Sequence, residues 1–202
     1  METTTLAERY LTFGEESRKL LTPKAVELLI DTFNKVYPGI CDFFNNGEIR
    51  DVVFEVDPNH GLPGLITVIE WTEIMDDDDV LIERREEILE NNKIKFNPND
   101  DIFKKEPMDI DFITHELIHV AQNYGLIKCP NWITEGLADY GRAKFGLYNT
   151  GWNIPKFIIN RSDKNYELGY TVTAGLFIWI EENINETFCK DLNNTIKSER
   201  YL

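Results

Sequence analysis

Apolar residues follow two different periods along the chain, and each period predicts a type of secondary structure. Residues 23–37 carry an apolar side chain every three or four positions, a spacing that predicts an amphipathic helix. Pro38 and Gly39 follow directly and are predicted to end this helix. Residues 6–20 show a weaker pattern, which is compatible with a short helix or an extended lead.

Strand-like patterns occupy the next part of the chain. Residues 51–56 alternate between apolar and polar side chains, and residues 65–71 are rich in β-branched residues, so both segments are predicted strands. Residues 80–83 and 94–96 are predicted to form two further short strands. The four aspartates at positions 76–79 lack the ligand spacing of a calcium loop and are predicted to form a solvated hairpin tip.

From residue 107 onward the periodicity is mostly helical. Strands followed by helices predict an α+β fold, in which a small mixed or antiparallel sheet precedes a mostly helical half. A chain of 202 residues is expected to form a single domain. We divide this domain into an N-terminal lead (1–20), a helix with the sheet (21–106) and a helical half (107–202).

Composition and charge exclude several classes of partner. Apolar residues make up 42% of the chain, as is typical of a globular protein. The longest apolar run is far shorter than the ~20 residues of a membrane span, so no membrane association is expected. The net charge of −15 would repel nucleic-acid phosphates, which argues against a nucleic-acid partner. We expect a monomer.

The cysteines and the N-terminus bear on the cellular compartment. Cys41, Cys129 and Cys189 form no Cys-x-x-Cys unit and are predicted to be buried free thiols. Residues 1–5 lack the basic start and apolar stretch of a signal peptide. These features favour a cytoplasmic location. A secreted protein whose N-terminus had been trimmed would show the same pattern.

The strongest chemical signal is the sequence His-Glu-Leu-Ile-His at residues 115–119. His115 and His119 are four residues apart, so their imidazoles lie on one face of a helix and can bind one metal ion. Neutral imidazole suits Zn²⁺. Glu116 is too short to reach the metal in this geometry but can reach a water bound to it, which is the arrangement of zinc hydrolases.

The residues around this motif predict a half-buried helix. Apolar side chains recur at helical spacing, namely Ile110, Ile113, Leu117, Ile118 and Ala121. Pro107 suits the first turn, and Asp109 and Asp111 suit the positive end of the helix dipole. The helix is predicted to end near Gly125.

A catalytic zinc ion keeps three protein ligands and one open position, so a third ligand is expected. Glu135 lies near the start of a second predicted helix, which Asn131 or Thr134 could cap. Asp139 lies one turn later on the same face and could accept the second ring N–H of a ligand histidine. Without the two histidines, Glu135 and Asp139 would be interpreted as a solvated acidic face.

Three stretches of sequence, in order along the chain, form a familiar pattern. Residues 115–122 read His-Glu-x-x-His-x-x-Gln, residues 135–142 read Glu-Gly-x-Ala-Asp-Tyr-x-Arg, and residues 169–174 read Gly-Tyr-x-Val-Thr-Ala. Together they resemble the basic secretory protein family of peptidases. Upstream similarities extend this resemblance over about residues 20–190, at positions 21–23, 36–38 and 53–58. The resemblance implies a zincin-like fold, one Zn²⁺ ion and a peptide or protein substrate.

Residues 132–138 are also similar to a Trp-Leu-x-Glu-Gly-Phe-Ala stretch of the zinc aminopeptidases, which are gluzincins. In gluzincins a glutamate on the following helix completes the zinc site, which implies this role for Glu135. The edge strand of the gluzincin sheet often holds an extended peptide, as β-strand addition explains. The chain departs from the basic secretory family in its acidic charge and its missing signal peptide, and from the aminopeptidases in a tighter loop between His119 and Glu135.

A tyrosine is expected to stabilise the oxyanion, since a phenol stays protonated at neutral pH and can donate to new negative charge. Residues 165–170 are predicted to open a helix that runs through Ile180. The aminopeptidase resemblance assigns the role to Tyr166, whereas the basic secretory family assigns it to Tyr170. Of the two, we favour Tyr166.

The sequence therefore predicts a zinc-dependent peptidase in which Glu116 takes a proton from water and passes it to the leaving amine. One alternative is a non-catalytic binding or defence-related module that retains the fold. Another is a zinc hydrolase that acts on a non-peptide amide. His60 is expected to be a loop histidine without a role in the site.

Overall fold

A mixed four-stranded sheet with helices packed against it forms the framework of the described chain. This computed structural model describes residues 4–76, 81–99, 101–104, 108–149, 151–154 and 166–198. The elements in chain order are α1 (Leu6–Tyr10), β1 (Leu11–Phe13), α2 (Ser17–Leu20), α3 (Pro23–Phe44), β2 (Val52–Val56), β3 (Gly64–Met75), β4 (Leu81–Phe96), α4 (Asp101–Lys104), α5 (Phe112–Gln122), α6 (Asn131–Phe145), a 3₁₀ turn (Tyr166–Leu168), α7 (Tyr170–Asn183) and α8 (Phe188–Ser198).

The sheet has the order β1-β2-β4-β3. Strands β1, β2 and β4 are parallel, and β3 pairs antiparallel with β4. This architecture confirms the predicted α+β class, with a mixed rather than a purely antiparallel sheet. It also makes β3 an edge strand within the described residues.

The β3–β4 hairpin is longer than predicted. Residues 80–83 and 94–96 were expected as separate strands, but residues 81–96 form the single strand β4, which pairs with β3 along most of its length. Much of the hairpin lies outside the core, and β3 is exposed over most of its residues. A strand without a buried face does not need to alternate apolar and polar residues. The apolar pattern therefore did not predict the full length of β4. Residue 80 and aspartates 77–79 lie outside the described residues.

Helix α3 does not end at Pro38 as predicted but continues to Phe44. An internal proline removes one backbone hydrogen bond and costs about 3 kcal/mol. The turns after it bury Ile40, Cys41 and Phe44 completely. Burying side chains of this size contributes about 1.5–3 kcal/mol each, so packing outweighs the proline.

The N-terminal lead contains both a short helix and an extended segment, the two forms that were predicted for it. Helix α1 starts with a capping box, in which Thr5 and Glu8 satisfy each other's backbone N–H groups, and β1 follows it as an extended segment.

The core lies between the sheet and helices α3 and α5. Aromatic rings cross it from Phe33 to Phe54, from Phe54 to Phe96 and from Phe96 to Phe112, with centroids 6.5, 6.0 and 5.6 Å apart. Every residue of α5 except His119 is buried, so this helix is more central than the predicted half-buried one. Packing in the core therefore holds α5 in place on the side of the helix that faces the sheet.

None of Cys41, Cys129 and Cys189 forms a disulfide, as predicted, and Cys41 and Cys189 are buried, whereas Cys129 is only partly buried. None of the helices in the described part of the chain has the length and apolar character that crossing a membrane requires.

Candidate metal centre

Hydrogen bonds and an ion pair join the start of α5 to the end of α6 and to the residues that follow it. Helix α5 begins at Phe112, later than predicted, and Pro107 lies outside the described residues. Asp111 accepts hydrogen bonds from the backbone N–H groups of residues 147–149, at 2.8, 2.6 and 2.6 Å. Asp109 forms a buried ion pair with Arg142, at 2.8 and 2.9 Å. Asp109 and Asp111 thus lie at or near the start of α5, where they were predicted to suit the helix dipole, and they also join this helix to α6 and to the residues that follow α6.

Helix α6 begins after Pro130, and neither Asn131 nor Thr134 occupies the capping position that was predicted for them. Two glycines let α6 approach its neighbours closely. A Cβ atom on Gly136 would collide with Thr173 of α7, and one on Gly141 would collide with Ile118 of α5. The close packing brings the face of α6 that carries Glu135 and Asp139 against α5.

The three predicted ligands converge. Nε2 of His115 lies 3.1 Å from Nε2 of His119. Oε2 of Glu135 lies 3.2 Å from Nε2 of His115 and 3.5 Å from Nε2 of His119. Tetrahedral zinc with bonds of about 2.0–2.2 Å holds its ligand atoms roughly 3.3–3.6 Å apart. The observed triangle therefore has the size that a single Zn²⁺ ion needs.

The Nδ1 atom of each imidazole makes a hydrogen bond that points away from the triangle. This bond determines whether Nε2 presents a proton or a lone pair to the triangle. Nδ1 of His115 donates to the Asp139 carboxylate at 2.7 Å, the contact predicted from the sequence. Nδ1 of His119 donates to the side-chain oxygen of Gln122 at 2.8 Å. A metal ion binds the neutral form of each imidazole, in which the single proton then lies on Nδ1 and Nε2 presents a lone pair. Two lone pairs and a carboxylate oxygen then meet at one point, and such a donor set fits a metal cation.

The electrostatics of the pocket also favour positive charge. Burial alone would lower the pKa of His115 and raise the pKa of Glu135. Instead, the carboxylates of Asp139 and Glu135 raise the pKa of His115 to about 10. The imidazoles of His115 and His119 lower the pKa of Glu135 to about 2.

Glu116 lines the same cleft and is buried, with 7% of its surface exposed. The cleft has a volume of about 700 Å³. Besides the three ligands, its walls include the residues that lead into and begin β3, as well as Phe112, Arg142, Trp152 and Tyr170. The candidate base therefore shares one open space with the candidate metal site.

The two candidate tyrosines occupy different places. The ring of Tyr170 stacks on His115, with centroids 6.1 Å apart and planes 15° apart, and lines the cleft. The Glu135 carboxylate, followed by burial and by Glu116, raises the pKa of Tyr170. Tyr166 packs against Trp132 at 5.3 Å and is not among the cleft residues. Of the two tyrosines, Tyr170 therefore lines the cleft, whereas Tyr166, which the sequence favoured, does not.

Sequence reasoning missed three residues of the site. Gln122 stood in the quoted motif but received no role. Arg142 also stood in a motif, and its guanidinium lies 4.2 Å from the ring centre of Trp152. Trp152 lies outside the helices and carries no local signal. His60 lies in a turn and is not among the residues that line the cleft, as expected.

A family model described as BSP, peptidase of plants and bacteria, matches residues 74–201. No curated protein and no solved structure matches significantly. The matched segment covers more than half of the chain and includes α5, α6 and the start of α7. The upstream similarities within residues 21–58 lie outside it. The chain belongs to this peptidase family.

Proposed function

We propose that this member of the peptidase family is a zinc-dependent enzyme with a zincin-like active site, in which His115, His119 and Glu135 bind one Zn²⁺ ion. The observation that carries the proposal is the convergence of two imidazole nitrogens and one carboxylate oxygen within 3.1–3.5 Å of one another. Spacing along one helix could bring two histidines together, but the third ligand comes from another helix.

The proposed chemistry is hydrolysis of a peptide bond. When bound, zinc would supply a Lewis acid that activates water and polarises the scissile carbonyl. Glu116 takes the proton of the attacking water and delivers it to the leaving amine. Asp139 holds the proton on Nδ1 of His115 and keeps that ring oriented.

The substrate is proposed to lie along the start of β3. Residues 62–65 line the same cleft as the proposed ligands, and β3 is an edge strand in the described part of the chain. Such an edge presents backbone N–H and C=O groups to which an extended peptide can add as a further strand. This mode favours an unfolded peptide or an exposed loop of a protein as substrate.

Tyr170 is proposed to donate a hydrogen bond to the oxyanion. For Tyr170→Phe we expect kcat to fall by about 100-fold or more, with little change in KM, because removing one such donor weakens transition-state binding selectively. Steady-state kinetics on a cleaved peptide would measure this. Tyr166→Phe is the matched control and should retain near wild-type kcat. A larger loss in Tyr166→Phe than in Tyr170→Phe would reverse the assignment.

The direct test is a peptide-library digestion with the full chain loaded with zinc. We expect fragments that disappear when a chelator removes the metal and return when zinc is added, with cleavage positions read by mass spectrometry. These positions would also separate endopeptidase from exopeptidase action. Zinc binding without any cleavage would contradict the proposal and favour a non-catalytic binding module.

A further inference from the structure

Gln122 connects two of the candidate ligands. It lies in the last turn of α5 and is 1% exposed. Its side-chain oxygen accepts the hydrogen bond from Nδ1 of His119 at 2.8 Å. Its side-chain nitrogen faces the backbone oxygen of Thr134 at 3.4 Å, one residue before Glu135. One buried amide therefore touches His119 on α5 and the backbone of α6 beside Glu135.

We propose that Gln122 is a positioning residue of the metal site, an inference that rests on the proposed zinc centre. The amide holds the proton of His119 on Nδ1, so that the lone pair on Nε2 points toward His115 and Glu135. Without an acceptor at this place, the imidazole of His119 can rotate or carry its proton on Nε2, and neither state binds a metal at the triangle.

The chemistry of the two contacts explains why an amide serves here. Its oxygen can only accept and its nitrogen can only donate, so one side chain serves both an N–H group and a carbonyl. A carboxylate would accept from His119 but would repel the Thr134 carbonyl. A hydrocarbon side chain of the same length would serve neither contact.

This difference suggests two variants, Gln122→Met and Gln122→Glu. Zinc affinity is measured by competition with a chromophoric chelator, and the ligand geometry by the visible absorption of the Co²⁺-loaded protein. We expect Gln122→Met to weaken zinc binding by about 10- to 100-fold and to alter the Co²⁺ spectrum. Gln122→Glu keeps the acceptor for His119, so its loss should be smaller than that of Gln122→Met.

Val52→Ala is the control for a general loss of stability. Val52 is fully buried in β2, a strand that contributes no residue to the cleft. The control should lower the unfolding temperature of the metal-free protein while leaving zinc affinity and the Co²⁺ spectrum near wild type. An equal loss of affinity in Val52→Ala and Gln122→Met would overturn the positioning role.

The remaining outcomes separate this inference from the proposed function. If the wild-type protein binds zinc and Gln122→Met binds it equally well, the positioning role is wrong although the metal site stands. If Gln122→Glu loses as much affinity as Gln122→Met, acceptance from His119 is not the important contact. A wild-type protein that binds no zinc overturns both proposals. One that binds zinc without cleaving peptides overturns the peptidase function alone.

Discussion

Glu116→Gln is expected to retain zinc and to lose between about 100-fold and about 10,000-fold in kcat, the usual contribution of a general acid–base group. The amide has nearly the shape of the carboxylate but cannot take up the proton of the attacking water. Zinc should remain bound, because the proposed ligands are His115, His119 and Glu135, which could together hold a metal ion. The measurements are kcat on a cleaved peptide and the zinc content of the purified protein.

A matched control is Glu182→Gln, the same change at an exposed position of α7. It should keep both wild-type activity and zinc content. If Glu116→Gln cleaved peptides at the wild-type rate, Glu116 would not be the base. If it lost its zinc instead, Glu116 would belong to the ligand set.

Glu135→Gln is expected to lose zinc. The change replaces an anionic ligand with a neutral amide, while two neutral imidazoles remain, so the attraction for a dication falls sharply. Because losing a hydrogen-bond partner of a ligand already costs about 10- to 100-fold in affinity, we expect the loss of the ligand itself to exceed about 100-fold. Chelator competition gives the affinity, and activity should fall in parallel unless zinc is supplied in large excess.

Glu116→Gln serves as the comparison for Glu135→Gln, since it makes the same chemical change in the same cleft. The pair should separate the two roles, with metal lost in one variant and turnover lost in the other. Zinc affinity near the wild-type value in Glu135→Gln would remove this residue from the ligand set and leave the metal with two protein ligands.

Local spacing was enough to predict the centre of the site. The four-residue interval from His115 to His119 requires only a helix, and Asp139 follows Glu135 by the same interval. The triangle itself depends on how closely α5 and α6 approach, which Gly136 and Gly141 allow. The sequence indicated Gly136 as part of a motif but gave no signal at Gly141, and it did not indicate what either glycine contacts.

Tertiary contacts explain where the structure departs from what the sequence favoured. Pro38 is a local stop signal, but three buried residues beyond it favour a longer α3. The choice between the tyrosines depends on the backbone at Gly169 and Tyr170, whose φ angles of 75° and 47° are both left-handed. A left-handed tyrosine is uncommon, and no spacing rule predicts one. Tyr170 follows a turn in which Tyr166 packs against Trp132.

The polar contacts that join α5 to α6 have a consequence for how the proposed zinc ion would bind. Asp109 and Asp111 join the helices at one end, Gln122 bridges them at the other, and none of these contacts involves the ion. A zinc finger must fold around its metal, whereas here contacts within the polypeptide hold the proposed ligands together. If the chain binds zinc as proposed, we expect the metal to load and unload without unfolding the protein, so that the supply of zinc sets the active fraction.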